Sequence, residues 1–159
     1  MKYLLVLVGL LAGPVFAESD LAEPDHVYAI GGLEVLHPWA PAIDRGSALL
    51  FMELHNEGDA PVNLIGARLP DGPMGQLVGF SMKAGQMGYD PLPPIPVAPG
   101  KHLDLTPDGL AILFEGLTAP LIDGQHWEVV LQTSAGDLKM EVAVEPKGSR
   151  QHGHAGHSH

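Results

Sequence analysis

From Leu33 onward, short apolar runs alternate with Gly, Pro and Asp punctuation. That spacing predicts short strands joined by turns rather than helices. The runs place strands at Leu33–Leu36, Ser47–His55, Val62–Ala67, Gln76–Ser81, Lys101–Leu105, Leu110–Phe114, Trp127–Thr133 and Leu138–Val144. The last two carry the strictest period of two. Trp127, Val129, Leu131 and Thr133 alternate with Glu128, Val130 and Gln132. Leu138, Met140, Val142 and Val144 alternate with Lys139, Glu141, Ala143 and Glu145. One set of each strand turns inward and the other toward water. Ser134-Ala135-Gly136-Asp137 supplies the turn, so the two strands are expected to form a hairpin. No run holds a helical period for three clean turns. A short helix near Leu117–Ile122 is conceivable, with Pro120 against its extension. The expected fold class is therefore all-β, a sandwich.

The segments outside these runs have their own character. Between Met82 and Pro99, the residues Gly85, Gly88, Pro91, Pro93, Pro94, Pro96 and Pro99 interrupt any regular ladder, which predicts a long loop. Residues 18–31 are acidic and irregular, a linker or first edge. At the start, Lys2 precedes an apolar run from Tyr3 to Ala12, then Gly13-Pro14 and Val15-Phe16-Ala17. One cation, a short hydrophobic segment and a small-x-small ending describe a secretory signal peptide, cut near Ala17. The run is shorter than the roughly 20 residues a bilayer span needs, so no stable membrane insertion is expected. The organisation that results is a signal peptide over 1–17, an acidic leader over 18–32, a sandwich over 33–146 and a disordered His-rich tail over 147–159. A periplasmic or otherwise exported location follows from the first of these.

Composition narrows the function. The 159 residues suit one domain with tails, and 45% hydrophobic residues argue against full disorder. Acidic residues outnumber basic ones 19 to 8, a formal charge of −11, so a phosphate backbone would be repelled and nucleic acid is not an expected partner. The absence of Cys removes disulfides, thiolate catalysis, thiolate metal sites and a lipid-bearing cysteine together. There is no Gly-x-Ser-x-Gly elbow, Walker-type loop or His-Glu-x-x-His, so no enzyme is expected.

What remains for soft or borderline metals is His and Met. His152, His154, His157 and His159 fall in the last eight residues, spaced by Gly, Ala and Ser that let the chain wrap an ion. Neutral imidazoles suit Cu(II), Ni(II) and Zn(II), and copper leads the divalent affinity order. The plain alternative is a solvated low-complexity tail that meets metal incidentally. Met82 and Met87 cluster with Met74 around the Gly/Pro-rich segment, and thioethers suit Cu(I). Their plain alternative is packing between loop and core. His26, His37, His55, His102 and His126 are scattered, and each read alone is a surface or turn residue.

Taken in order, residues 33–145 resemble the PCu(A)C family of exported copper chaperones. The matching pieces are His37-Pro38-Trp39-Ala40, the strand Gly46–Phe51 leading to Leu54-His55-Asn56-Glu57-Gly58, and Val97-Ala98-Pro99-Gly100. Leu103-Asp104-Leu105-Thr106-Pro107-Asp108-Gly109, Phe114-Glu115-Gly116-Leu117, Pro120-Leu121, Asp123-Gly124 and the final hairpin follow. The resemblance implies a cupredoxin-like antiparallel β-sandwich that binds copper. In that family a His, a Met about ten residues on, and a His-x-Met pair about twenty beyond hold Cu(I). Here the first His would fall near Val78 or Gly79, and the pair at Ala111-Ile112-Leu113, where no donor exists. Met87 alone has a matching place, with Met82 nearby.

The resulting expectation is a chaperone-like protein that captures or transfers copper through the tail imidazoles, with Met82 and Met87 as further candidates. Its recipient by resemblance would be a cytochrome oxidase subunit during copper-site assembly, or another copper chaperone. Two alternatives stay open: a degenerate sandwich that lost metal and binds protein, or a zinc or nickel buffer.

Overall fold

A computed structural model describes residues 27–153. Its strands are β1 (Val27–Ile30), β2 (Leu33–Pro41), β3 (Gly46–Asn56), β4 (Val62–Arg68), β5 (Met74–Lys83), β6 (Gln86–Pro91), β7 (Ile95–Val97), β8 (His102–Leu105), β9 (Leu110–Leu117), β10 (His126–Thr133) and β11 (Gly136–Glu145). Among the described residues there is no helix. All eight strands read from the apolar runs are present, most of them one to five residues longer. The hairpin of β10 and β11 forms as the alternation requires, with Thr133 opposite Gly136 at its tight end.

Pairing runs β5-β9-β3-β2-β11-β10-β4 and returns from β4 to β5, so the sandwich closes on itself. Closure removes the open edges that invite aggregation. The remaining short strands extend individual partners: β1 on β2, β6 on β5, β7 on β4 and β8 on β3. The ladder is antiparallel except where β11 runs alongside β2 and β8 meets β9.

The interior is apolar, with Leu33, Val35, Leu50, Leu54, Ile112 and Phe114 fully buried. A second, smaller cluster lies on the opposite face of β3 and β9, built from Trp39, Phe51, Val78 and Ala111. Burial on both faces explains why β3 reads Ala48-Leu49-Leu50-Phe51-Met52 without alternation.

A bulge in β2 decides which face Trp39 occupies. Leu36 pairs with Glu53 but Trp39 pairs with Phe51, so three steps on β2 match two on β3. One extra residue reverses the inward–outward phase. Leu33 and Val35 therefore face the main core before the bulge, and Ala40 faces it after, leaving Trp39 on the other side. His37 takes the strain of this turn, with φ of +47°. A left-handed backbone is uncommon outside glycine, though His is among the residues enriched there.

One expectation is corrected and two open readings are decided. The Met82–Pro99 segment is not one long loop, since it contains β6 and β7. Ala84 and Gly85, at φ of +51° and +80°, make the two-residue turn that a β5–β6 hairpin needs. Pro91 closes β6, and Pro96 is tolerated because β7 pairs only with β4. The short helix left open at Leu117–Ile122 is absent. Leu121 instead bridges Ile43, the two exchanging backbone hydrogen bonds of 3.0 and 3.1 Å. Val27–Ile30 takes the first-edge reading of the leader, because its residues complete an antiparallel ladder on β2.

Candidate metal centre

The fold brings together the three segments in which the resemblance places ligands. Val78 on β5 is the Cα partner of Ala111 on β9, and β6 with Met87 pairs along the other side of β5. On β5 and β9 the side chains at these positions are hydrocarbon. Val78 and Ala111 are buried against Trp39 and Phe51, and Leu113 packs on the same cluster. An apolar cluster of this kind offers no lone pair to a cation.

Met82 and Met87 face each other across the β5–β6 hairpin as direct cross-strand partners, one step from the Lys83–Gln86 pair that flanks the turn. Both are exposed, at 66% and 75%, so packing does not account for them. Opposed residues next to a hairpin end bring their side chains close on one face. The hairpin is pinned by Lys83, whose Nζ donates to Asp90 Oδ1 at 2.6 Å. This hydrogen bond, with another from Ser81, holds the Asp90 carboxyl below its usual value. Tyr89 on β6 donates its hydroxyl to the Pro107 carbonyl. Burial pushes its phenol up, the Asp108 charge adds to that, and Arg150 opposes it.

The tail begins differently from its sequence expectation. Ser149 turns back through a 3.0 Å bond to the Pro146 carbonyl, and Arg150 pairs with Asp108. His152, read as the first imidazole of a solvated tail, is 6% exposed. Its Nδ1 lies 2.6 Å from Oε1 of Glu145, which also accepts the Gly153 N–H at 3.1 Å. The His152 ring centre stands 5.8 Å from that of His37 on the β2 bulge. Both border a cleft of about 130 Å³ with Trp39, Met52, Glu53 and Arg150. His154, His157 and His159 lie outside the described residues, as do the signal segment and His26.

The other described imidazoles sit on the sheet surface. His55 and His102 are cross-strand partners on β3 and β8, with ring centres 5.8 Å apart. Glu53 Oε2 is 3.9 Å from His55 Nε2, and His126 Nδ1 is 3.4 Å from Glu141 Oε2. Among the described residues, no three His, Asp or Glu side chains converge into a complete ligand set. The meeting of His37 with His152 was invisible to spacing, which separates them by most of the chain. A signal existed in His37-Pro38 inside an apolar strand, since proline there calls for a bulge and a bulge re-aims its neighbours.

A family model described as "Putative lipoprotein LpqE-like" matches residues 33–144. No curated protein matches the chain. Among solved structures, the copper-bound PCuAC domain from PmoF2 is 27% identical with a TM-score of 0.62, covering 76% of this chain and 98% of that one. CuI-DR1885 from Deinococcus radiodurans is 25% identical with a TM-score of 0.51, covering 84% and 85%. The apo PCuAC domain from PmoF1, at 23% identity and a TM-score of 0.64, shares the fold over 76% of this chain and 99% of its own. With the closed sandwich these matches overlie, the chain belongs to the LpqE-like family and is built on the PCuAC fold.

Proposed function

We propose that this chain is an exported, non-enzymatic copper-binding protein of chaperone type, which captures copper on donors outside the sandwich core. One observation carries the reading. The fold resembles that of a copper-bound PCuAC domain, yet the positions where a ligand set would sit hold Val78 and Ala111. Among the described residues the soft and borderline donors stand apart from that cluster, as the exposed Met82–Met87 pair and His152, and the sequence adds His154, His157 and His159. In this reading His152, His154, His157 and His159 take Cu(II), while Met82 and Met87 offer thioethers to Cu(I). Peripheral ligands suit transfer, because an ion can leave without opening a packed core.

Export rests on the segment before Ala17, and the absence of cysteine leaves no thiol for lipid attachment within the 159 residues. A copper site of cytochrome oxidase, or a second copper chaperone, is the recipient the reading favours. The hydrocarbon at Val78 and Ala111 also suits a second reading, a sandwich that no longer handles metal and binds protein.

The test is Cu(II) and Cu(I) titration of the protein from Glu18 onward, against a version ending at Lys147. Truncation is expected to abolish tight Cu(II) binding. Unchanged Cu(II) stoichiometry would overturn the tail's role, and no copper binding by the longer protein would leave the second reading standing. Titration with Zn(II) and Ni(II) at matched free concentrations separates copper handling from zinc or nickel buffering.

A further inference from the structure

The tail could bind metal as a floating peptide or as part of the folded body, and the geometry around its first imidazole separates the two. His37 is fixed on the body. It occupies the extra position of the β2 bulge at φ of +47°, a sparsely populated conformation of the kind that clusters at functional sites. His152 is fixed on the tail side, buried, with its Nδ1 against the Glu145 carboxylate at 2.6 Å. A carboxylate placed against one ring nitrogen is a usual companion of a metal-ligating imidazole, whose ring it helps to orient.

The separation of the rings also fits. With metal–nitrogen bonds of about 2.0 Å, each ring centre stands about 3.2 Å from the ion, so two rings on one ion are roughly 4.5–6.4 Å apart. The observed 5.8 Å lies inside that range. The cleft beside them is bordered by the Glu53 carboxylate, favourable to a cation, and by Arg150, whose charge is paired with Asp108, and it has room for ligand waters in its volume of about 130 Å³. His55 and His102 match the same ring distance, but they stand on an open sheet face with Glu53 at 3.9 Å as their nearest carboxylate.

We propose that His37 and His152 together bind one divalent late-transition ion, Cu(II) in the exported setting, with Glu145 as the positioning residue for His152. The site clips the tail to the β2 bulge, so the body contributes a ligand to copper that the tail alone could not hold in the same way. This deepens the proposed function and rests on its tail reading.

The experiment uses Cu(II) alone, in competition with a chelating indicator, on the full mature chain and on a chain ending at Gly153. The shorter chain keeps His152 and lacks His154, His157 and His159. It is expected to bind one Cu(II), with affinity reduced about tenfold or more by His37→Asn. Asparagine accepts the left-handed backbone, so the bulge survives the change. Glu145→Gln is expected to weaken binding by about tenfold and to change the His152 tautomer seen in imidazole nitrogen NMR. If the full chain binds Cu(II) but the Gly153 chain does not, or if His37→Asn leaves its affinity unchanged, the composite site is wrong and the tail reading stands. If the full chain binds no Cu(II), the proposed function fails first.

Discussion

Asn56 offers the sharpest test of how the sandwich is held. It ends β3 with its side chain fully buried. Its Nδ2 donates to the carbonyls of Ala60 and Val97, each at 2.8 Å, and its Oδ1 accepts the Gly58 N–H at 3.0 Å. One amide thus ties β3 to the following turn and to β7. Asn56→Ala removes three hydrogen bonds worth about 1 kcal/mol each and leaves the Val97 carbonyl buried without its donor, a further 1–3 kcal/mol or so. The expected loss is about 4–6 kcal/mol, which for a domain of this size lowers Tm by roughly 15–22 °C. Asn56→Asp keeps the acceptor for Gly58 but turns a carboxylate oxygen toward two carbonyls. Its loss should be larger at pH 7 than at pH 4, where the protonated acid can donate to one of them. Thermal and urea melts of the three proteins measure this. A loss below about 1 kcal/mol for Asn56→Ala would refute the assignment of Asn56 as a staple, as would an Asp variant indifferent to pH.

Three further outcomes follow from the hairpin and the tail. The Asp90 carboxyl is held low by Lys83 first, so its contribution is present above the ordinary value of 3.8 and lost as pH falls through the depressed one; carboxyl NMR of Lys83→Ala should show it titrating back toward 3.8, and no movement would remove the hydrogen bond from the account. Tyr89 is raised mainly by burial and opposed by Arg150, so its contribution holds below 10.0 and fades as pH climbs through the raised value. Ending the chain at Lys147 should push this phenol higher still, read by tyrosinate absorbance against a Tyr89→Phe control. Met82 and Met87 are exposed, so replacing both with Leu should leave the melting curve in place while weakening Cu(I) binding about tenfold or more in a chelator competition; unchanged Cu(I) affinity would return the pair to a purely structural role.

The strand pattern was legible because most strands of the body have one face to bury, while β3, buried on both, reads as an unbroken apolar run. The alternation in Trp127–Thr133 and Leu138–Val144 fixed both the hairpin and its inward faces. Where a strand is short or carries proline, the pattern failed for a definite reason. β7 has only three residues and gains its place from the exposed side of β4, a tertiary fact that Ile95-Pro96-Val97 does not encode locally. β6 was hidden by glycine and proline that turn out to serve a two-residue turn and a strand end. The apolar character of Val78 and Ala111 was plain in the sequence, but their meeting with Trp39 depended on a bulge that shifts phase by one residue. The pairing of His37 with His152 needed the same bulge and the fold-back at Ser149.

That hydrocarbon cluster has a thermodynamic consequence that separates the two modes of copper binding. A buried ligand set waiting for its ion leaves polar groups without partners, and metal binding then becomes part of folding. Val78, Ala111, Trp39 and Phe51 complete their packing with no ion, so the body should fold fully without copper. Copper can then raise Tm only through a site that exists in the folded chain and not in the unfolded one. A tail that binds as a flexible peptide holds the ion equally in both states and gives no shift. A site shared between His37 and His152 exists only when β2 and the tail are in place. At free Cu(II) one hundred times its Kd, the gain is about 2.7 kcal/mol, close to a 10 °C rise in Tm for a domain of this size. The chain ending at Gly153 should show that rise and lose it on His37→Asn, measured by calorimetry with the free ion buffered. A chain that binds Cu(II) at this ratio without any rise in Tm would mean that the ion sits on the tail alone.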